Sequence, residues 1–361
     1  MLVSIVMPVY NGEPSVGMAI ESVLVQSYPH WQLIVVDDGS TDRTASIARG
    51  FDDPRILYVR QEKGGQPSAL NCGLSLCEGE YVTTLDADDM LTRDSLRARV
   101  ELLVSCPDHG AVYGDGYYCD AGATPLLRFS QYRPGNPVGD VYDPLTTSCF
   151  FGTGAAVMIR RRVLEERKLR YDETLSIGND WDFYLRLAEE TTFGYVDAIT
   201  VLYRLHGANM TLTESPDRRV DCLLRIKRKV LRSPRFARLS PARRREFFYH
   251  LLLGDLKLRP AEQTKVMEDP QFEALPMRAQ SQLLRMMAID CILGDQSIDI
   301  ATRWLETACR LAPLDWKTRM VALMTGLNPT LARLGARARR RIRAKAVPSP
   351  FDLALTGRQK T

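Results

Sequence analysis

Three acidic clusters stand where apolar runs of this sequence stop. Asp37-Asp38-Gly39-Ser40 follows the run at 33–36, and Asp86-Ala87-Asp88-Asp89 follows the run at 81–85. Asn179-Asp180-Trp181-Asp182 opens a segment of helical period. Hard divalent cations such as Mg²⁺ and Mn²⁺ take carboxylate oxygens and bridge phosphates. Asp86 and Asp88, one residue apart, can place one carboxylate on a metal and the other on a neighbouring hydroxyl. A solvated turn with helix capping accounts for the same pattern, because Asp favours both. For Asp37 and Asp38 the choice lies between a turn leading into a helix N-cap and a carboxylate accepting from a base N–H or a ribose hydroxyl.

Four further features carry chemistry of their own. Pro8-Val9-Tyr10-Asn11 closes the first apolar run, and the Tyr10 ring either stacks on a flat base or is a core tyrosine. Gly64-Gly65-Gln66-Pro67-Ser68-Ala69-Leu70-Asn71 is a loop opening a helix, which suits a phosphate or nucleotide edge. It matches neither the Walker loop nor the dinucleotide Gly-x-Gly-x-x-Gly fingerprint. Asp180 is a candidate general base with Trp181 as an apolar platform beside it; the alternative is an N-capping Asp and a core Trp. His206, one of four histidines, follows a strand and either ligates a metal, contacts phosphate, or caps at the surface.

These residues need elements to hold them. Short runs rich in Val and Ile at 3–7, 33–36, 56–59, 81–85 and 111–113 read as buried parallel strands. Between the first two, Val16, Ala19, Ile20, Val23 and Leu24 form a helical stripe. This βαβ order predicts an open α/β sheet with helices on both faces, and such sheets bind ligands beyond the C-terminal strand ends. Residues 118–149, rich in Pro, Gly, Asp and Tyr, read as long surface loops facing a substrate. Strands at 155–159 and 201–205 and a helix near 180 follow. Beyond 211 only helical period remains, punctuated by proline. The division expected is a catalytic domain over 1–211, a helical domain over 212–345 and a loose tail over 346–361.

The 361 residues carry a net charge of +4, and it is unevenly placed. Residues 218–245 hold twelve basic residues and one acid, or +11; residues 333–345 hold seven basic residues, or +7; the remainder is therefore −14. The basic stretches are either solvated helix faces or attract anionic lipid or a charged acceptor. Nucleic acid fits poorly, because aromatics are not interleaved with the basic residues as a stacking platform needs. Eight cysteines without Cys-x-x-Cys spacing read as reduced thiols of a cytoplasmic protein. The N-terminus lacks the basic and cleavage features of a signal peptide, and no apolar run reaches the roughly 18 residues of a membrane span, so membrane contact is expected to be peripheral.

Taken in order, the motifs resemble glycosyltransferase family 2, inverting enzymes with the GT-A fold. The resemblance rests on Pro8-Val9-Tyr10-Asn11, Val35-Val36-Asp37-Asp38-Gly39-Ser40-Thr41-Asp42, Gly65 to Gly73, Leu85-Asp86-Ala87-Asp88-Asp89, Asp180 to Arg186 and Tyr203-Arg204-Leu205-His206. It implies a mostly parallel central sheet and a nucleotide-sugar site that includes Pro8, Asn11 and Ala87. In that site Tyr10 stacks on the base, Asp38 hydrogen-bonds it with Asp37 nearby, and Gln66 and Asn71 line the pocket. Asp86 meets the ribose or donor sugar. Asp88 and His206 hold Mn²⁺ or Mg²⁺ on the diphosphate. Asp180 is the base, beside Trp181 on the acceptor side. Donor UDP, and a glycan or lipid-linked acceptor of cell-surface polysaccharide or lipopolysaccharide synthesis, follow by the same analogy. Two positions depart from the family pattern: Asn179 where Glu is common, and Leu70 where Arg is common. A sugar nucleotidyltransferase and a non-catalytic binding protein are the competing readings.

Overall fold

A computed structural model describes residues 1–133, 135–256, 259–293 and 298–327. Two compact units divide between Cys222 and Leu223, whereas the sequence reading set the division at 211. The first unit is built on one sheet of nine strands: β1 (Val3–Val9), β2 (Trp31–Asp37), β3 (Ile56–Arg60), β4 (Tyr81–Thr84), β5 (Met90–Leu91), β6 (His109–Cys119), β7 (Pro125–Arg128), β8 (Val157–Arg160) and β9 (Thr192–Arg204). Their order is β3-β2-β1-β4-β8-β6-β9-β5, with β7 paired to the C-terminal end of β6 off this path.

The ladders β3–β2–β1–β4 and β6–β9 are parallel, and these carry most of the paired length. β8 runs antiparallel between β4 and β6 and joins the two halves. β1 is buried along its whole length, as a strand covered on both faces must be. Helices α1 (Val16–Leu24), α2 (Thr44–Arg49), α3 (Gln66–Ser75) and α4 (Ser95–Ser105) supply the cover. The stripe read from the sequence is the buried face of α1: Val16, Ala19, Ile20 and Val23 are 0–1% exposed.

Gly73 lets α3 lie directly on the sheet, because a Cβ there would stand 2.2 Å from Val6 Cγ1. Arg99 on α4 is fully buried and donates to Ser95 O, Thr83 Oγ1 and Ala155 O, tying α4 to β4 and to the turn before β8. Burial without a carboxylate partner draws its pKa down to about 9. The strand carrying Asp86 to its place is thus fixed from both sides.

Residues 118–149 are only in part surface loops. β7 pairs with β6, and two short helices, Phe129–Tyr132 and Tyr142–Leu145, bury Phe129, Tyr142 and Leu145 to within 2% exposure. Four-residue helices leave no periodicity to read; Phe129 and Tyr142 go inward while Tyr132 stays exposed.

The described residues from Leu223 onward are helical, with Pro241–His250, Met277–Leu293, Ile298–Leu311 and Trp316–Leu327 as the longer elements. Phe236, Phe247, Phe248, Leu283 and Met287 form a core of their own. In the first basic stretch Arg225, Arg228, Arg232, Arg238, Arg243 and Arg245 are exposed. The second stretch, 333–345, and the tail, 346–361, lie outside the described residues. Among the described residues no helix is long and apolar enough to cross a membrane, and all eight cysteines are free.

Candidate active site

The parallel register places the ends of β1 and β2 side by side, Val9 opposite Asp37, so Tyr10 and Asp38 emerge together. Asp37 is fully buried. Its carboxylate accepts from Ser40 N and the Tyr58 hydroxyl. Burial alone would raise its pKa, but these hydrogen bonds and the nearby Arg60 outweigh it and hold the group below the usual carboxylate range. Tyr58 responds oppositely: burial and the Asp37 charge push its phenol up to about 12.

Asp38 accepts three N–H groups at 2.8 Å, from Gln61 Nε2, Gly64 and Gly65. It therefore organises the loop that opens α3. Asn11, at φ +49°, donates its N–H to Ser40 Oγ and accepts from Thr41 N, joining the loop after β1 to the Asp37 turn. Tyr10 is 44% exposed with Lys63 Nζ 3.7 Å from its ring centre, so it is a rim residue and not a core tyrosine. Pro8 and Ala87 are buried, the first inside β1 and the second in the main core. They can shape a pocket only from behind.

Gln66, first residue of α3, bridges two clusters. Its Nε2 donates to Asp86 Oδ1 at 2.9 Å, and its Oε1 accepts from Asn179 Nδ2 at 3.2 Å. Asn71 sits one turn on, but its amide is spent on Tyr171 N, Tyr171 O and Glu173. It fastens the 171–173 segment to α3 and, as placed, does not reach for a nucleotide.

Asp88 and His206 meet: Asp88 Oδ2 is 3.0 Å from His206 Nε2, and Asn209 Nδ2 is 3.5 Å from the same oxygen. The arm carrying His206 is held by Arg204, whose Nε donates to Asp88 O and whose N–H donates to Asp89. Asp89 is 1% exposed and also takes the Thr153 hydroxyl at 3.2 Å.

Asp180 lies in the first turn of the helix Asn179–Glu190, entered through Gly178 at φ +70°, a left-handed value that suits glycine. Its Oδ1 accepts from Trp181 N. Burial raises its pKa despite that bond. Trp181 is 8% exposed and donates its indole N–H to Leu145 O at 2.7 Å, so the structure makes it a core support behind Asp180 and not an open platform. Asp86 is pushed up to about 7 by burial and by the charges of Asp88 and Asp180, against the Gln66 hydrogen bond. The three carboxylates thus share one electrostatic neighbourhood.

Among the described residues no three His, Cys, Asp or Glu side chains could hold a metal ion by themselves. Asp88 and His206 offer one hard oxygen and one imidazole nitrogen. That donor set fits Mg²⁺ or Mn²⁺, which keep water and substrate phosphate oxygens as their remaining ligands.

The family model described as glycosyl transferase family 2 matches residues 4–168. That stretch is 165 of the 361 residues, and it takes in β1 to β4 with the acids at 37–38 and 86–89. An uncharacterized glycosyltransferase of Rickettsia prowazekii is 28% identical over 222 residues, 59% of this chain and 66% of the relative. The match covers 34% of two other Rickettsia relatives, so the chain spans less than two thirds of the relatives it resembles. Among solved structures, Staphylococcus aureus TarS 1-349 in complex with UDP-GlcNAc aligns with a TM-score of 0.59 at 17% identity, over 94% of this chain and 92% of that one. The mannosyltransferase PcManGT of Pyrobaculum calidifontis, in complex with GDP-Man and Mn²⁺, aligns at 0.51 and 22%, over 95% and 88%. These likenesses show a shared fold, that of GT-A glycosyltransferases.

Four residues that the sequence reading left without a role shape this site: Asp89, Thr153, Arg204 and Asn209. Arg204 and Asn209 flank His206 in sequence, which was the available signal. Asp89 reads as one more turn acid, and Thr153 carries no local signal at all.

Proposed function

We propose that this chain is an inverting, divalent-metal-dependent glycosyltransferase that moves a sugar from a nucleoside diphosphate, UDP by preference, to a hydroxyl of a glycan or lipid-linked acceptor. The observation that carries this reading is the convergence of Asp86, the Asp88–His206 pair and Asp180 beyond the ends of β4 and β9.

The roles follow from chemistry. Asp88 and His206 would hold Mg²⁺ or Mn²⁺, which when bound supplies Lewis-acid stabilisation to the diphosphate as it leaves. Tyr10, exposed at the rim, would stack on the base, with the Asp38-organised loop beneath it. Asp86 would accept a ribose or sugar hydroxyl. Asp180 would accept the proton of the attacking acceptor hydroxyl. Attack from the face opposite the diphosphate inverts the anomeric centre in one displacement, with no carboxylate nucleophile. The helical residues beyond Leu223 would form a separate domain. Its exposed arginines would attract a charged acceptor or an anionic membrane surface, in cell-surface polysaccharide or lipopolysaccharide synthesis at the cytoplasmic face.

The test is calorimetry and thermal shift of the full chain with UDP-GlcNAc, other UDP-sugars and GDP-Man, with and without MnCl₂, followed by assay for nucleoside diphosphate release. Binding of one sugar nucleotide that tightens with Mn²⁺ is expected. No binding of any of them overturns the reading.

A further inference from the structure

Asn179 occupies the position at which this chain departs from the common family pattern, and it is 4% exposed with its amide on Gln66. Gln66 in turn donates to Asp86 Oδ1 at 2.9 Å. A primary amide has one accepting end and one donating end. Gln66 can therefore serve one carboxylate and one donor, but not a carboxylate at each end. In the structure Asp86 Oδ1 takes the NH₂ end; the carbonyl end must then face a donor, and Asn179 Nδ2 is that donor.

We propose that Asn179 is a positioning residue that sets the direction of the Gln66 amide, and through it holds the Asp86 carboxylate for the sugar nucleotide. The role rests on the function proposed above and adds a determinant of donor affinity to it. Three features support it. The two hydrogen bonds run in one sense, from Asn179 to Gln66 to Asp86. With Oδ1 held by Gln66, Asp86 Oδ2 takes no hydrogen bond from the described residues and is left for a ligand hydroxyl. Asn179 is also the first residue of the helix bearing Asp180, so the same contact links the donor side to the acceptor side.

A carboxylate at 179 would face the Gln66 carbonyl. The amide would then turn to serve it and present its own oxygen to Asp86, leaving two acceptors opposed.

The test compares Asn179→Asp with Asn179→Ala. If Asn179 only fills space, the isosteric Asp is the milder change and Ala, which leaves a cavity, the worse. If it sets amide direction, Asp is the worse, because Ala leaves Gln66 free to keep donating to Asp86. Calorimetry with UDP-GlcNAc and GDP-Man in the presence of MnCl₂ is expected to show Kd raised about tenfold by Asp and less than about threefold by Ala. Melting temperatures of both variants are measured beside it. Wild type binding a sugar nucleotide, with Asp no weaker than Ala, overturns the proposal alone. Wild type binding neither sugar nucleotide removes the function proposed above and this proposal with it. Should Asp fail to fold, Gln66→Glu serves. It leaves Asn179 a partner but sets a carboxylate against Asp86, and the same weakening is expected; unchanged Kd in that variant overturns the proposal.

Discussion

Asp88 Oδ2 stands 3.0 Å from His206 Nε2, across 118 positions of sequence. The contact exists because β4 and β9 deliver their C-terminal loops to one edge of the sheet, and Arg204 ties the second loop to the backbone of the first. His206 Nδ1 accepts from Ala208 N at 3.3 Å, which turns the Nε2 edge toward Asp88.

If this pair is the metal site, its parts should fail in order. Asp88→Ala is expected to abolish the tightening of sugar-nucleotide binding by Mn²⁺, and His206→Ala to weaken it strongly. Asn209→Ala, which removes a neighbour that orients both, should cost about 10- to 100-fold in Mn²⁺ affinity. Titration of Mn²⁺ into each variant at fixed nucleotide checks the order. Full Mn²⁺ response in Asp88→Ala would sink the assignment.

Asp180→Asn keeps size and the hydrogen bond from Trp181 N but cannot take a proton. Turnover should fall by about 10²- to 10⁴-fold, while Kd for donor and metal is unchanged. Because burial raises the Asp180 pKa, the acid limb of the kcat profile should sit above the ordinary carboxylate value of about 4 and drop with one proton. An equal loss of donor affinity in the variant shows that Asp180 binds rather than abstracts.

Asp37 makes the opposite electrostatic prediction. Its folded-state pKa lies below the unfolded value of about 3.9. The unfolded chain therefore takes up the proton first as pH falls. The stability from this group is full above the unfolded value and lost as pH drops through the folded one. Asp37→Asn should lower stability by roughly 1–3 kcal/mol at pH 7 and make the acid side of the stability curve shallower. Chemical denaturation at pH 7 and pH 3 measures both; an unchanged acid slope overturns it.

Much of the scaffold was legible because it is written in local period. The buried stripe of α1 and the runs that become β1 to β4 need only neighbours a few residues away. The acids at 37–38 and 86–89 were legible for the same reason, since each stands where an apolar run stops. What could not be read is pairing at long range. Gln66 with Asn179, and Asn71 with Tyr171, join residues 113 and 100 positions apart through side-chain direction, which no periodicity encodes. Trp181 shows the cost of reading a site residue alone. An aromatic beside a candidate base suggests a platform, but Leu145 O, from a four-residue helix invisible in the sequence, takes its N–H and draws it inward.

Asp89 offers a test of that long-range layer. Its two oxygens face different partners, Oδ1 the Arg204 N–H and Oδ2 the Thr153 hydroxyl. Asn at this position can keep both contacts, its Oδ1 accepting from Arg204 N and its amide donating to Thr153 Oγ1. Ala keeps neither: it leaves the Arg204 N–H without a partner and the Thr153 hydroxyl with no acceptor for its proton, only the Ala155 N–H that it accepts, at a cost of about 1–3 kcal/mol for the lost N–H partner. Asp89→Asn is therefore expected to melt near wild type and to keep its Mn²⁺ response. Asp89→Ala should melt lower and weaken Mn²⁺ binding as well, because the loop that bears His206 loses one of its ties to the β4 loop. Hydrogen exchange at residues 204–209 separates the two effects. Protection there should fall in Asp89→Ala and hold in Asp89→Asn. Equal protection in both variants would mean that the contacts to Asp88, from the Arg204 guanidinium, His206 and Asn209, hold the His206 arm without Asp89.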